Sequence, residues 1–483
     1  MELEKVIRCP VHGYISVPPQ VLADFVDHEI FQRLRWIEQT SMRPLYPSAS
    51  HNRFVHSLGT YHLARRAFSA IISHTQLGAW GGVAPDDYAK PFEIAALMHD
   101  CAHAPFSHTF ENLYKANGGA PTAYLLEQTA PLDPSFKDDY EALCAVELPP
   151  KVHEELSAAV FLDYFGAAYT NRHGSRETLA LVARMITGCV HAVPVSPQQE
   201  IENCLIRLIN GVIDVDKLDY IMRDSWTSGV NNVSIDHVRL LSSLRLARTS
   251  DGMLQPCFNK SALSTIQSVI DGRNYLNYWI HSHHTVVYYQ ELVTRAAQGA
   301  LRSLSPPDDP SFLERSVFSR ASFARPAVFS GRCLYLTSDA DLLHLMKQCL
   351  DTVPEAEEYL SRRPTRVPLW KSRAEFALVF RDRGHNSLVT LFGIIPQLLG
   401  PCLSAAERAN VWHLKVPARL EAIEPHEVFI TIGDQVVQYS ETMAGPSGKS
   451  GDEDFFFYVY IPRTAEAKRQ ACLDALRKAR IGL

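Results

Sequence analysis

Residues 57–72, SLGTYHLARRAFSAII, decide the fold class of this chain. Their apolar side chains recur at three- and four-residue spacing, which places them on one face of an amphipathic helix. The same spacing returns in residues 21–39, VLADFVDHEIFQRLRWIEQ, and in residues 179–190, LALVARMITGCV. The sequence therefore predicts a mainly α region that extends to about residue 300, preceded by a short extended arm over residues 1–20.

The sequence pattern changes after this helical region. Residues 303–332 are rich in Ser, Pro and Arg, which is typical of a linker. Residues 333–483 then contain the short β-like runs CLYLT, FALVF, EVFITI, QVVQY and FFFYVYI, and they end in a helix-like stretch. We therefore predict a helical domain over residues 1–302, followed by a smaller α+β C-terminal region. Residues 117–150, rich in Gly, Pro and acidic residues, are interpreted as an insertion or lid, or as a disordered stretch.

The composition is that of a soluble globular protein. The chain has 483 residues, of which 46% are hydrophobic and 21% charged, and its net charge is −6. This charge gives no global attraction to nucleic acid or to an anionic membrane, so a polyanionic substrate would need local Arg, Lys and metal. The ten cysteines form no CxxC pair, and no apolar run reaches membrane-spanning length. We expect a reduced, cytoplasmic protein.

Histidine and carboxylate residues stand out within the predicted helical region. His56 lies in RFVHS, His99 and Asp100 close the apolar run IAALMHD, and Asp216 lies in IDVDKLDY. Imidazole and carboxylate groups hold divalent metals while leaving positions open for water and substrate. A metal centre that assists attack of water on phosphorus is the chemistry that this set favours.

More potential proton carriers follow the His99–Asp100 pair. His103 and His108 come next in HDCAHAPFSH, so four such groups stand within ten residues. A lone buried histidine is more often a core residue than a ligand. Four together would be costly to remove from water in a packed core, so the cluster predicts a functional pocket.

The order H…HD…D and its surroundings resemble the HD-domain metal-dependent phosphohydrolases, and within them the deoxynucleoside triphosphate triphosphohydrolase branch. The resemblance begins at Lys5, is nearly continuous to about Gly229 and fades beyond about residue 300. It implies water attack at the α-phosphate, with release of deoxynucleoside and tripolyphosphate. The matching segments are residues 10–13, 31–35, 50–59, 103–108, 153–154 and 214–220.

The resemblance also implies roles for individual residues. The implied ligands of a divalent metal (Mn, Mg, Fe, Ni or Zn) are His56, His99, Asp100 and Asp216. The implied catalytic group, with Glu where the family usually has Asp, consists of His103, His108, Glu111 and His153. The implied phosphate contacts are Arg53, Lys217, Tyr220 and Arg273. The implied sugar contacts are Gln39 and Asp224, and His281 stands beside the base where the family has Tyr.

Several of these positions have plain alternatives. Arg53 and Lys217 would otherwise be ordinary solvated charges, and His281 would belong to a half-exposed helix face. The change from Tyr to His281 leaves the base preference open.

A nucleotide effector site and a homodimer or homotetramer are further implications of the resemblance. Two basic positions of that site are changed to Phe258 and His284, so an altered effector, or none, is our hypothesis. The alternative for Asp27 and Arg35 is an ordinary helix-surface pair. The residues implied for the effector site are Lys5, Val6, Asp27, Arg35, Arg245 and Lys260.

Other functions remain compatible with this ligand set. HD sites also serve phosphodiesterases, nucleases and hydrolases of nucleotide second messengers, and a nucleotide-sensing protein with a vestigial site is the non-enzymatic alternative. Residues 445–450, GPSGKS, look like the end of a phosphate-binding loop, but Met443 stands where the first glycine is required. We interpret them as an exposed loop between strands.

Overall fold

The computed structural model describes most of the chain, in two compact units. Residues 445–450 lie outside the described residues, as do residues 117–120 and 147–148 of the predicted insertion. The described ranges are 3–116, 121–146, 149–324, 326–329, 331–381, 383–416, 427–442 and 455–479. Within them, the first unit contains residues 3–274, 304–345 and 427–442, and the second contains residues 275–303, 346–416 and 455–479.

The first unit is mostly helical. Its longest described helix, Arg53–His74, begins where the Asn52 side chain accepts a hydrogen bond from the backbone N–H of Val55 at 3.2 Å. The other helices that begin in this unit are Pro19–Val21, Glu29–Gln32, Ala89–Met98, Glu111–Ala116, Pro121–Thr129, Phe136–Val146, Val152–Val160, Gly166–Arg172, Arg176–Thr187, Pro197–Asn210, Val215–Ser228, His237–Ser242, Leu263–Tyr275, Phe312–Val317, Ala321–Ala324, Asp339–Lys347 and Tyr439–Thr442.

Three small sheets accompany these helices. The predicted N-terminal arm is an antiparallel hairpin whose turn contains Gly13 at φ +77°, a conformation that glycine adopts without strain. A four-stranded sheet joins two hairpins through one parallel pairing, between Leu254–Asn259 and Phe429–Ile432. The strands of this unit are Lys5–Cys9, Gly13–Val17, Leu244–Arg248, Leu254–Asn259, Ala327–Phe329, Arg332–Leu334, Phe429–Ile432 and Gln435–Gln438.

The second unit packs helices on a three-stranded antiparallel sheet. The central strand, Phe456–Pro462, is buried along its whole length, because it lies between the strands Arg366–Pro368 and Trp412–Val416 and within an aromatic core. The helices that begin in this unit are His284–Leu304, Pro354–Ser361, Arg373–Val379, His385–Gly393, Ile395–Leu398, Ala405–Ala409 and Arg469–Lys478.

The prediction of a mainly α fold with a smaller α+β C-terminal region is confirmed. One predicted strand is wrong, because FALVF belongs to the helix Arg373–Val379. The Ser372 hydroxyl accepts the backbone N–H of Glu375 at 3.2 Å, which starts a helix that burial of Phe376 then stabilises. No described helix is long and apolar enough to cross a membrane.

The helical pattern of residues 21–39 is divided into short pieces in the structure. The chain is extended at His28 (ψ 139°), and the His28 ring accepts the N–H of Ile30 at 3.3 Å to begin the next turn. Residues 303–332 contain two short helices with buried Leu313 and Phe323. The linear division of the chain at residues 302 and 333 stays a prediction.

Candidate functional site

Three helices of the first unit carry the predicted metal ligands. Three of the four are buried, and the fourth, Asp216, has a side chain that is 31% exposed and so leaves the cluster open to solvent. Their positions are His56 in Arg53–His74, His99 and Asp100 directly after Ala89–Met98, and Asp216 in Val215–Ser228.

The structure brings these four side chains together. Nε2 of His56 lies 3.0 Å from Oδ1 of Asp216, and Nε2 of His99 lies 3.7 Å from the same oxygen. Oδ2 of Asp100 is 3.5 Å from each of the two Nε2 atoms. Neither buried Nε2 makes a well-directed hydrogen bond to the described residues. Imidazole nitrogens that converge on carboxylates in this way fit a divalent cation.

The other ring nitrogens fix how the two imidazoles are oriented. Nδ1 of His56 donates to Oδ2 of Asp219 at 2.8 Å, and Nδ1 of His99 donates to the Ala96 carbonyl at 2.9 Å. In the neutral form of each ring these bonds keep the proton on Nδ1, so that the lone pair of Nε2 faces the cluster. Burial would lower the pKa of His56, but the Asp216 and Asp219 carboxylates outweigh it and raise the pKa to about 9. Without a cation, His56 thus carries a second proton, on Nε2, and a bound cation would displace this proton.

Asp219 is a buried residue to which the sequence analysis assigned no role. Its carboxylate accepts His12 Nε2 at 2.5 Å, and Arg223 Nε and Nη2 at 2.8 Å each. Burial raises the pKa of Asp219, but Arg223 and His12 outweigh it and hold the pKa well below its usual range. A Cβ at Gly59 would lie 1.9 Å from Asp219 Oδ1, so only glycine fits there. The spacing of Asp219 one helical turn after Asp216 is the sequence signal for it.

We expect Asp219→Asn to weaken metal binding about 10- to 100-fold, because the amide no longer holds His56 in the tautomer that faces the cluster. The measurement is a chelator-competition titration with Mn²⁺. The control is Asp271→Asn, a surface carboxylate that accepts a hydrogen bond from Gln267 at 2.9 Å. Equal affinities in the two variants would show that His56 needs no such support.

The predicted catalytic residues form a second cluster around one carboxylate. Oε1 of Glu111 accepts hydrogen bonds from Nδ1 of His153 and from Nδ1 of His108, the latter at 3.0 Å. The His103 ring stacks on His153 with 4.3 Å between centroids. His103 is fully buried, whereas His108 is exposed. The extra methylene of Glu, relative to the usual Asp, is thus compatible with contact to both histidines.

One histidine connects the two clusters. His153 Nε2 lies 3.8 Å from Oδ1 of Asp100, on the side of the ring opposite its hydrogen bond to Glu111. Burial lowers the pKa of His153, but the Glu111 charge outweighs it, so the pKa is raised. Burial, followed by the charge of Arg53, holds the pKa of His103 well below its usual range. The two stacked rings therefore favour opposite protonation states.

Arg53 and Lys217, two of the three predicted phosphate-binding cations, are not ordinary solvated charges, and that alternative is wrong. The Arg53 side chain is 4% exposed, forms an ion pair with Asp100 and donates from Nε to the Ser107 hydroxyl at 3.0 Å. The Lys217 side chain is 14% exposed, and its Nζ lies 2.6 Å from Oδ2 of Asp214. Both cations are therefore held beside the metal-binding cluster.

The remaining predicted substrate contacts in the first unit are also buried or half-buried. Burial raises the pKa of Tyr220 against the opposing charges of Arg273 and Lys217. Arg273 is buried, and its Nε has no hydrogen bond to the described residues. Asp224 is fully buried and accepts His51 Nε2 at 2.7 Å.

Gln39 and His281 complete the predicted substrate contacts. Gln39 is buried, and its Oε1 makes no hydrogen bond within the described structure. His281 is half-buried and lies in the second unit, at the end of the π-helical segment Leu276–His281. Its role beside the base stays a prediction.

The predicted effector residues all lie in the first unit. Arg35 stacks on the Phe54 ring at 3.6 Å and donates to Gln32 Oε1 at 2.7 Å. Arg245 is half-buried on the strand Leu244–Arg248. The exposed members of the set are Lys5, Val6, Asp27, Arg35 and Lys260.

Comparison with known proteins supports the family resemblance, although no family model matches the chain. The chain is 26% identical over 332 residues to the uncharacterized protein YwfO of Bacillus subtilis, covering 68% of this chain and 61% of the relative. It is 28% identical over 306 residues to the deoxynucleoside triphosphate triphosphohydrolase SAMHD1 of Danio rerio, covering 60% of this chain and 44% of the relative. The chain is a homologue of the HD-type dNTP triphosphohydrolases. It spans about half the length of these curated relatives.

Two crystal structures share the fold of this HD-type homologue over nearly its whole length. A hypothetical protein from Aquifex aeolicus matches with a TM-score of 0.65 at 18% identity, covering 98% of this chain and 100% of that one. A phosphohydrolase from Bacteroides thetaiotaomicron matches with a TM-score of 0.62 at 21% identity, covering 95% and 99%. The structural likeness thus continues past residue 300, where the sequence resemblance fades.

Proposed function

We propose that the chain is a metal-dependent phosphohydrolase that converts deoxynucleoside triphosphates into deoxynucleoside and tripolyphosphate. The observation that carries this proposal is that Nε2 of His56 and Nε2 of His99 both face Oδ1 of Asp216. The curated relatives named as triphosphohydrolases support the substrate class. A homodimer or homotetramer and an altered nucleotide effector site belong to the same proposal.

The metal centre supplies one part of the chemistry. A divalent metal held by His56, His99, Asp100 and Asp216 would act as a Lewis acid, which activates water and neutralises charge on the phosphate. Arg53 and Lys217 place two further positive charges beside this cluster, and charges fixed in a water-poor pocket stabilise a phosphoryl transition state strongly. Tyr220 and Arg273 extend the phosphate-binding surface.

The second cluster moves protons. His153 turns Nε2 toward Asp100 while its Nδ1 is held by Glu111, so it can exchange a proton with the attacking water. His108 is also held through Nδ1 and is exposed, so its protonated ring can donate from Nε2 to the leaving 5′ oxygen. Burial lowers the pKa of His108, and the Glu111 charge opposes that effect and favours the protonated ring. Attack at the α-phosphorus with cleavage of its bond to that oxygen leaves tripolyphosphate intact.

The test is product analysis of the full chain with Mn²⁺ or Mg²⁺. Each deoxynucleoside and ribonucleoside triphosphate is assayed singly and in pairs, because an effector-dependent enzyme would be inactive with one nucleotide alone. We expect intact tripolyphosphate on ion-exchange chromatography. Single-stranded oligonucleotide and a cyclic dinucleotide serve as parallel substrates. Cleavage of these instead would refute the proposal in favour of the phosphodiesterase alternative, and release of phosphate or pyrophosphate from the triphosphates would also refute it.

A further inference from the structure

Asp339 lies far along the chain from the motifs of the site, yet it contacts two segments that build it. It is the first residue of the helix Asp339–Lys347 and is 5% exposed. Its Oδ1 accepts the backbone N–H of Phe106 at 2.6 Å, and its Oδ2 accepts the backbone N–H of Glu38 at 2.8 Å. We infer that Asp339 is a positioning residue that holds the His103–His108 loop in its catalytic conformation.

The loop needs such support because its backbone is strained. Phe106 and Ser107 are consecutive non-glycine residues with φ of 54° each. Side chains at Cβ disfavour this left-handed region, so surrounding contacts must hold the two residues there. His108 follows directly, and the place of its ring beside Glu111 therefore depends on how the two preceding residues are held.

The start of the loop is attached to the same distant segment. Nη2 of the buried Arg33 donates to the His103 carbonyl at 2.6 Å, and its Nε donates to the Thr337 carbonyl at 2.9 Å. Residues 337–339 thus fix the loop at both ends, through Arg33 at His103 and through Asp339 at Phe106.

The second oxygen of Asp339 extends this support to a phosphate-binding cation. It fixes the backbone of Glu38, whose carbonyl accepts the Ser107 hydroxyl. That hydroxyl in turn accepts Nε of Arg53 at 3.0 Å. A shift of Asp339 would therefore disturb His108 and Arg53 together, whereas it contacts none of the predicted metal ligands directly.

The protonation behaviour of Asp339 supports a role other than stabilising the fold. Burial raises the pKa of Asp339 to about 7, and the Glu38 charge adds to this increase. The two N–H donors and the charge of Arg33 lower the pKa, but they do not outweigh burial. A carboxyl group whose pKa is higher in the folded chain than in the unfolded chain lowers stability as it ionises with rising pH. Ionisation of the Asp339 carboxyl group, which accepts both N–H groups, thus lowers the free energy of unfolding.

The experiment compares Asp339→Asn with Asp341→Asn. An amide can accept only one of the two backbone N–H groups, so one of the two attachments is lost. Asp341 is the matched control, because it lies on the same helix and, among the described residues, its Oδ2 accepts the Ser338 N–H at 2.8 Å and hydroxyl at 2.7 Å but no hydrogen bond from residues 103–108. The readouts are metal content, amide hydrogen exchange over residues 103–108, and kcat and KM with the deoxynucleoside triphosphate that the wild type hydrolyses fastest.

For Asp339→Asn we expect a fall in kcat of about 100-fold, as misplacement of catalytic groups by about 1 Å produces. Amide exchange in residues 103–108 should become faster and KM should rise as Arg53 is displaced, while metal content stays as in the wild type. Asp341→Asn should match the wild type in kcat and in loop exchange. Asp339→Glu keeps the charge and moves it by one methylene, so it gives the same test if the amide variant does not fold.

Unchanged kcat and loop exchange in a folded Asp339 variant would overturn the inference. Equal losses in Asp339→Asn and Asp341→Asn, or loss of metal in parallel with kcat, would also overturn it, because Asp339 would then only maintain the fold. The kinetic part rests on the proposed function, whereas loop exchange and metal content need no substrate. An inactive wild type with faster loop exchange in Asp339→Asn would therefore refute the proposed function and leave the positioning role standing.

Discussion

His99→Ala is expected to abolish metal binding and to lower kcat by at least about 1,000-fold, which corresponds to about 4 kcal/mol of transition-state stabilisation. His99 is one of the two buried histidines of the predicted metal-binding cluster. Its removal leaves one imidazole, His56, against the carboxylates of Asp100 and Asp216, and leaves a cavity where the ring stood. The measurements are metal content by mass spectrometry and the rate of tripolyphosphate release.

The matched control for this variant is His74→Ala. His74 is the exposed last residue of the helix that carries His56, so its removal tests for a nonspecific loss of histidine. We expect wild-type metal content and rate in the control. Loss of the metal from His99→Ala without loss of activity would mean that the metal has no part in hydrolysis.

Glu111→Gln is expected to lower kcat about 100- to 10,000-fold while the metal stays bound, because proton transfer by positioned side chains contributes this much. The amide keeps the size of the side chain but loses the charge that both His108 and His153 face. The charge of Glu111 raises the pKa of His153, so its removal lowers that pKa. His153, which takes a proton from the attacking water, then stays unprotonated to lower pH, so the acidic limb of the rate profile should move to lower pH.

The comparison for this prediction uses Glu154→Gln and Glu111→Asp. Glu154 Oε1 lies 3.9 Å from His153 Nε2, and its charge also raises the pKa of His153, but less than that of Glu111 does. We therefore expect a smaller shift of the pH profile in Glu154→Gln than in Glu111→Gln. Glu111→Asp retains the charge on a shorter side chain, and an intermediate kcat is expected. A wild-type pH profile in Glu111→Gln would exclude the His153–Glu111 pair from proton transfer.

The metal-ligand hypothesis could be made from local sequence, because the predicted ligands lie in or directly after segments with an apolar helical pattern. His99 and Asp100 follow directly after the helix Ala89–Met98, as the apolar run IAALMHD predicted. The hydrogen bonds that orient these predicted ligands could not be predicted from local sequence. Asp219 and His12 are 207 residues apart and meet only in the folded chain.

The failures of the sequence analysis have similar physical causes. FALVF has the composition of a strand, but its place after the capping Ser372 starts a helix, and a composition rule does not include that cap. For the predicted insertion, residues 117–150, the sequence did not decide between a lid and a disordered stretch. Its helices contact the helix Val152–Val160, which carries His153, through buried Glu155, which accepts hydrogen bonds from Thr122 at 2.9 Å and from Tyr140.

The parallel pairing of Leu254–Asn259 with Phe429–Ile432 limits how this molecule can be divided. A protein trimmed at residue 302 would keep the helices that carry the metal ligands but lose the outer half of that sheet. The edge of Leu254–Asn259 would then be open to pairing with other chains, which favours aggregation. Inserting a foreign domain at the Ser- and Pro-rich stretch would likewise interrupt one folding unit rather than join two. The first unit is therefore discontinuous in sequence, and the last strand of its four-stranded sheet ends only at residue 438.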